Sequence, residues 1–406
     1  MNYQETIDYL FSRLASYQHQ GSSALNYKLE NITNFCEYLG NPQNDFKIIH
    51  VGGTNGKGTT SHMLSAVLQQ SGHKTGLYTS PHLKRMNERF KVDGEDINDN
   101  FITEFVLTHY DYIESTELSF FELTVGLAFD FFKAQKVDFA IIEVGLGGRF
   151  DSTNIVNPIL SVITNVSLDH VAILGDTLEK IAFEKVGIIK NKVPVVIGEG
   201  EVLETVAKKK ADEVQAPLVL CSGLVGFDAG SIFNEYELKN LKTTLASVGV
   251  LRELGIELID DVGVIRALIN YKLLTGLKGR WQQIRSNPNA VCDVGHNEAG
   301  VKDVVAQLLK EKYNTLHVVW GMVNDKDVSK VVSLLPKEAE YILCQSKNQR
   351  ALPVDQLVKV FKEQGLNFLI EPDVQKAYYL ALKNAEKEDL IFVGGSTFVV
   401  GELEGI

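Results

Sequence analysis

Cysteine is scarce in this chain, and its placement argues against both metal and disulfide chemistry. Only four stand among 406 residues: Cys36, Cys221, Cys292 and Cys344. They lie far apart and form no Cys-x-x-Cys pair, so neither a zinc site nor a disulfide framework is expected. Each reads instead as a small core hydrophobe. Positive charge is also short, with 40 Lys and Arg against 52 Asp and Glu for a net charge of -12. Nucleic acid and anionic membranes need a basic face, so neither is an expected partner. Negative substrates must then be met by local positive charge. No apolar run approaches the length of a membrane span, and Met1 to Thr6 lacks the basic and apolar regions of a signal peptide, which gives a cytosolic expectation. What the chain does have is 45% hydrophobic residues over a length that exceeds one growing core, so two domains are expected.

The most informative stretch runs from Ile48 through Gly52-Gly53-Thr54-Asn55-Gly56-Lys57-Gly58-Thr59-Thr60. It reads as a buried strand, a glycine-rich turn and the start of a helix, which is how a chain holds polyphosphate. Glycines let backbone N–H groups converge on an anion, the helix N-terminus adds partial positive charge, Lys57 reaches terminal phosphates, and Thr59 or Thr60 faces a metal. The standard P-loop spacing is not met to the letter. Position 51 is valine rather than glycine, and Gly58 separates Lys57 from the first hydroxyl.

Along the chain, strands and helices alternate. We expect a helix near 29–39, a strand at 47–51, a helix from about 59 to 71, a short strand near 77–78, a helix around 119–134, and strands at 137–142 and 159–164. This pattern implies a parallel sheet with covered faces, whose ligands collect at the carboxyl ends of the strands. The phosphate loop follows the first strand, Ser80 the second, Glu143 the third, and Asp169-His170 lie shortly after the fourth. The pattern weakens between about 205 and 235. It weakens again at 271–283, and resumes from Ala290 onward. We therefore expect an α/β fold with a P-loop-containing parallel-sheet ATPase domain at 1–275, an interdomain linker at 276–289, and a smaller Rossmann-like α/β domain at 290–406.

Several side chains stand where chemistry is plausible. Glu143 ends an apolar strand, and a buried carboxylate needs a partner. Magnesium on nucleotide phosphates would serve, and so would a helix cap or Arg149. His170 gains interest from its place beside Asp169 at the same sheet edge, where imidazole can ligate metal. Lys185, from spacing alone, reads as a surface lysine. Asp293 and His296, in Val291-Cys292-Asp293-Val294-Gly295-His296-Asn297, suit either a ligand-facing edge or a structural turn. Arg280 could meet phosphates from the linker.

Together these segments resemble the folate branch of the Mur ligase superfamily, which holds folylpolyglutamate synthases and dihydrofolate synthases. Gly58 between the lysine and the hydroxyl is similar to that branch. So are Tyr78-Thr79-Ser80-Pro81-His82-Leu83, Asn87-Glu88-Arg89, Phe121-Glu122-Leu123-Thr124, Asp151-Ser152-Thr153-Asn154, Glu184-Lys185-Val186-Gly187, Gly279-Arg280-Trp281-Gln282 and Asp325-Lys326-Asp327. The resemblance covers nearly the whole chain. It implies a Mur ligase-like fold and an ATP-dependent amide ligase that adds L-glutamate to dihydropteroate, to reduced folates, or to both, through an acyl phosphate. By that resemblance Thr54, Asn55, Gly56, Lys57, Gly58 and Thr59 bind ATP with Asn240, Arg280, Asp293 and His296. Ser80 and Glu143 would hold one magnesium ion, and Glu143, His170 and a Lys185 carbamylated by carbon dioxide a second. Lys57, Lys185, His170 and Arg280 would serve catalysis, and Phe121, Glu122, Asp151 and Ser152 the pterin acceptor. A monomer is implied as well. The chain departs from the family pattern at Glu237, where a glutamine is usual, at Lys278, where proline is common, and at about 222–234, which is shorter. The rival readings are a peptidoglycan Mur ligase with a UDP-sugar acceptor, which Gly58 and Ser80-Pro81-His82 count against, and a nucleotide-binding regulatory protein without ligase activity.

Overall fold

A computed structural model describes residues 1–14, 28–221 and 233–406. They divide into two compact units: residues 1–167 with 171–277, and residues 168–170 with 278–406. Residues 222–232, most of the stretch read as shortened, lie outside the described residues.

The first unit is built on an eight-stranded sheet. Its strands are β1 (Lys47–Gly52), β2 (Thr75–Tyr78), β3 (Phe90–Val92), β4 (Glu95–Asp96), β5 (Phe139–Glu143), β6 (Leu160–Ile163), β7 (Val195–Ile197) and β8 (Leu218–Leu220). Their order is β4-β3-β2-β5-β1-β6-β7-β8, with β2, β5, β1, β6, β7 and β8 parallel. β3 and β4 add an antiparallel edge. β1 is buried on both faces, so residues 48–52 are all covered, with no alternation of buried and exposed positions. Ile48 joins a core with Phe35, Phe129 and Phe132, while Ile49 and Val51 join another with Leu64 and Leu68. The helix Lys57–Gln70 is enclosed almost all round: Thr59 through Leu68 are buried. It packs on β1, β2 and β5 and beneath helices Glu235–Glu253, Asp261–Ile269 and Tyr271–Thr275. All four cysteines are buried, at the core positions read from the sequence.

The second unit carries a six-stranded sheet. Its strands are β9 (Gln282–Ser286), β10 (Asn289–Asp293), β11 (Leu316–Trp320), β12 (Glu340–Leu343), β13 (Phe368–Ile370) and β14 (Leu390–Gly394), in the order β13-β12-β11-β14-β10-β9. β9 alone is antiparallel. Residues 276–289, expected as a linker, thus contain a strand paired to β10, and the units divide between 277 and 278. The half-exposed polar residues of β9 hide its pairing from a pattern reading. Among the described residues no helix is long and apolar enough to cross a membrane.

Candidate active site

The phosphate loop depends on two close approaches that only glycine allows. Gly53 has φ +142°, and a Cβ there would lie 1.9 Å from Thr164 Oγ1. Gly56 has φ +80°, and a Cβ there would lie 2.0 Å from Asn240 Oδ1. The carboxyl end of β6 and the helix Glu235–Glu253 therefore press against the loop from outside. Thr164 Oγ1 donates to Asn55 O at 2.6 Å, and Asn165 Nδ2 donates to the same carbonyl at 2.9 Å. Asn165 Oδ1 accepts from Asn55 N at 3.0 Å, and Thr54 Oγ1 accepts from Ser167 N at 3.1 Å. Lys57 Nζ donates back to Thr54 O at 3.2 Å. Thr59 is buried, and the wholly buried Thr60 Oγ1 has no partner among the described residues. Thr164, Asn165 and Ser167 escaped the sequence reading, although their place at the end of β6 marks them as loop supports.

Glu143 closes β5 next to this loop. Its Oε2 accepts from Ser80 N at 3.2 Å, and its carboxylate oxygens lie 3.6 and 3.9 Å from where a Cβ on Gly58 would stand. Arg149 does not pair with it; the guanidinium binds Glu184 at 2.7 Å instead. Lys185 corrects the reading from spacing: it is 3% exposed and its Nζ donates to Gly53 O at 2.9 Å. That partner lies in the phosphate loop, which helical periodicity does not register. A Cβ on Gly148 would lie 2.7 Å from Glu184 O, and one on Gly187 2.4 Å from Arg149 Cβ, so glycines let residues 145–149 close over the end of helix Leu178–Lys185.

The residues ascribed to the acceptor line the same unit. The Phe121 ring rests where a Cβ on Gly145 would come within 2.4 Å. Glu122 Oε2 accepts from Ser119 N at 2.7 Å, capping its own helix Phe120–Gln135. Asp151 is buried, and burial pushes its carboxyl pKa up despite hydrogen bonds that oppose the shift. Ser152 opens the short turn Ser152–Ile155. The unusual Glu237 caps the helix Glu235–Glu253 with Asn234, and is held by Tyr271 Oη at 2.8 Å and Lys272 Nζ at 2.6 Å. Its charge is thereby matched, and Asn240 one turn on still touches the loop at Gly56.

His170, Arg280, Asp293 and His296 fall in the second unit. Asp169 organises the first of these. It is bound by Lys326 Nζ, accepts from Asn297 Nδ2 at 2.8 Å, and lies 3.8 Å from His296 Nε2. Burial alone would raise the Asp169 pKa, but His170, Lys326 and His296 outweigh it and hold the carboxyl well below its usual range. His170 takes the left-handed conformation at φ +49°, and burial lowers its pKa to about 3, so the ring is neutral as a metal ligand must be. Asp293 accepts from Trp281 N at 2.8 Å and Gly295 N at 2.7 Å, which is the work of a turn former. Lys326 and Asn297 were not singled out for this role from sequence, because their partner lies more than a hundred residues away.

Comparison with known proteins decides the kinship. Residues 51–216 match the Mur ligase middle domain, and residues 279–397 match the Mur ligase glutamate ligase domain. A Haemophilus influenzae protein named dihydrofolate synthase/folylpolyglutamate synthase is 34% identical over 87% of this chain and 87% of its own length. The chain belongs to the folylpolyglutamate synthase/dihydrofolate synthase family. It is, accordingly, an ATP-dependent ligase. A Haloferax volcanii relative, named as a probable bifunctional folylpolyglutamate synthase/dihydropteroate synthase, is 32% identical over 99% of this ligase, which spans 50% of that longer protein. Among solved structures, Escherichia coli FolC in complex with DHPP and ADP matches with TM-score 0.84 and 27% identity, over 99% of this chain and 96% of that one. A bifunctional family member with Mn, AMPPNP and L-glutamate bound matches with TM-score 0.85 and 29% identity, over 99% and 97%.

Proposed function

We propose that this ligase joins the amine of L-glutamate to a carboxylate of dihydropteroate and of reduced folates. The acceptor carboxylate attacks the γ-phosphoryl group of ATP to give an acyl phosphate; the glutamate amine then attacks that carbonyl and phosphate departs. The observation that carries this reading is the gathering, in the first unit, of Lys57, Glu143 beside Ser80, and buried Lys185 against the phosphate loop. The DHPP, ADP, AMPPNP and L-glutamate named in the related structures support the same substrate classes.

Ser80 and Glu143 are the residues we assign to one divalent ion, and Glu143 with carbamylated Lys185, in the same unit, to a second; His170 remains a candidate metal ligand of its own unit. The donor set fits a nucleotide-borne metal: among the described residues no three His, Cys, Asp or Glu side chains gather to hold an ion alone, and magnesium characteristically takes one or two protein carboxylates plus substrate phosphates. Such ions, when bound, neutralise charge on the transferring phosphoryl group. Lys57 adds fixed positive charge for the same purpose in the first unit, and Arg280 is the candidate cation of the second. The Lys185 amine, neutral, would attack carbon dioxide and release a proton, turning a buried cation into an anionic oxygen donor. Lys185 is 3% exposed, so little water reaches that amine. We take the ligase to act as a monomer in the cytoplasm.

The test is ADP release with ATP, magnesium and L-glutamate in the presence of dihydropteroate, tetrahydrofolate or neither. Release with both acceptors supports the bifunctional reading, and release with one narrows it. Silence with both overturns it.

A further inference from the structure

One fully buried side chain in the first unit has no part in the reading above. His50 sits in the middle of β1, in register with Ile142 on β5 and Ser161 on β6, and is 0% exposed. A histidine there is expensive, because burial drives its ring to the neutral form, with a pKa lowered to about 3. Its Nδ1 is buried with no partner among the described residues. Its Nε2 lies 2.8 Å from Thr153 Oγ1. The Thr153 hydroxyl donates to Asp151 Oδ1 at 2.5 Å, and Thr153 N donates to the same oxygen at 3.0 Å. Leu146 N donates to Asp151 Oδ2 at 2.8 Å.

The direction of these bonds follows from counting protons. An ionised carboxylate only accepts, so the single hydroxyl proton of Thr153 goes to Asp151. Thr153 Oγ1 must then accept from His50, which fixes the Nε2–H tautomer and leaves the bare Nδ1 as the orphan. Asp151 Oδ1 now has two donors and is saturated, whereas Oδ2 has one and keeps a free lone pair.

We infer that His50 is a positioning residue for the acceptor subsite: through Thr153 it fixes the Asp151 carboxylate so that Oδ2 is left to take an N–H donor of the acceptor's heterocycle. This rests on the proposed role of Asp151 in acceptor binding. A leucine at position 50 would fill the core without an orphaned nitrogen, so packing alone gives no reason for the ring. The strand that carries the phosphate loop thereby also aims the acceptor's carboxylate contact, and one element sets both substrates.

The experiment is steady-state kinetics of His50→Leu, Thr153→Val, His50→Gln and Asp151→Asn, with KM measured separately for dihydropteroate and ATP, alongside melting temperatures. Breaking this relay of hydrogen bonds to the carboxylate should raise the acceptor KM by about tenfold in His50→Leu and Thr153→Val while the ATP KM holds. His50→Gln, whose amide nitrogen can stand in for Nε2, should recover most of the loss. If His50→Leu fails to fold, Thr153→Val, which removes one hydroxyl at constant shape, carries the test. An unchanged acceptor KM in Thr153→Val, or acceptor and ATP KM rising together, overturns the inference. Asp151→Asn separates the two levels. If it leaves the acceptor KM unchanged, the acceptor reading of Asp151 fails and the inference falls with it; if it raises that KM while His50→Leu and Thr153→Val do not, only the inference falls.

Discussion

In the proposed site, replacing Lys57 or Glu143 with alanine removes a charge assigned to the phosphoryl group or to its metal, and each should lower turnover at least about a hundredfold in purified enzyme. Near-normal turnover in either would remove that residue from the site. Lys185→Ala makes a sharper demand. It should be inactive yet regain part of its turnover when acetate or formate is supplied, because a free carboxylate can occupy the space of the proposed carbamate. Full activity without rescue would exclude the lysine. Lys57 and Glu143 were legible as candidates from type and place: a lysine between two glycines and a carboxylate ending an apolar strand have little structural use. Lys185 was not, because helical spacing describes one element and its amine is taken up by another, the phosphate loop at Gly53. Glu122 and Asp293 show the converse. Glu122 stands in the first turn of its helix and Asp293 at the end of β10, places that suit a ligand contact, and both have backbone N–H groups as hydrogen-bond donors.

At the scale of elements, β1, its loop and the helix Lys57–Gln70 were readable because glycine, apolar runs and caps are local signals. What holds the loop is not local. Thr164, Asn165 and Asn240 reach it from β6 and from a distant helix. That arrangement separates two glycines that share a positive φ. Gly53→Ala would drive a methyl to 1.9 Å from Thr164 Oγ1, so binding of a fluorescent ATP analogue should be abolished. Gly72→Ala, with φ +83° and nothing within 4 Å of its Cβ, should cost only the backbone strain, about 1 kcal/mol, and bind normally. Equal loss in both would mean that backbone conformation, not the approach of β6, is what glycine serves. β9 was missed for a related reason: its half-exposed polar residues carry no period of 2, and only pairing with β10 makes them a strand.

Across the whole molecule, acid should act on the first unit through His50. The ring's pKa is lowered from 6.5 to about 3 on folding, so the unfolded chain takes up the proton first as pH falls. The contribution is complete above about 6.5 and is lost between there and about 3, at up to about 1.4 kcal/mol per pH unit. Urea unfolding at pH 7 and pH 5 should show this loss, and His50→Gln should lessen it; identical slopes would contradict the buried neutral ring. Two units make a single transition unsafe to assume, so the probe must report on the first unit. The second unit is itself discontinuous, since residues 168–170 belong to it while the chain on either side does not. Asp169 is the counter-ion of Lys326, whose side chain is 7% exposed. A hybrid enzyme spliced at residue 278 from two parents would therefore take the cation from one and its anion from the other. Recombination that respects this molecule's parts has to exchange three residues far upstream along with the C-terminal portion.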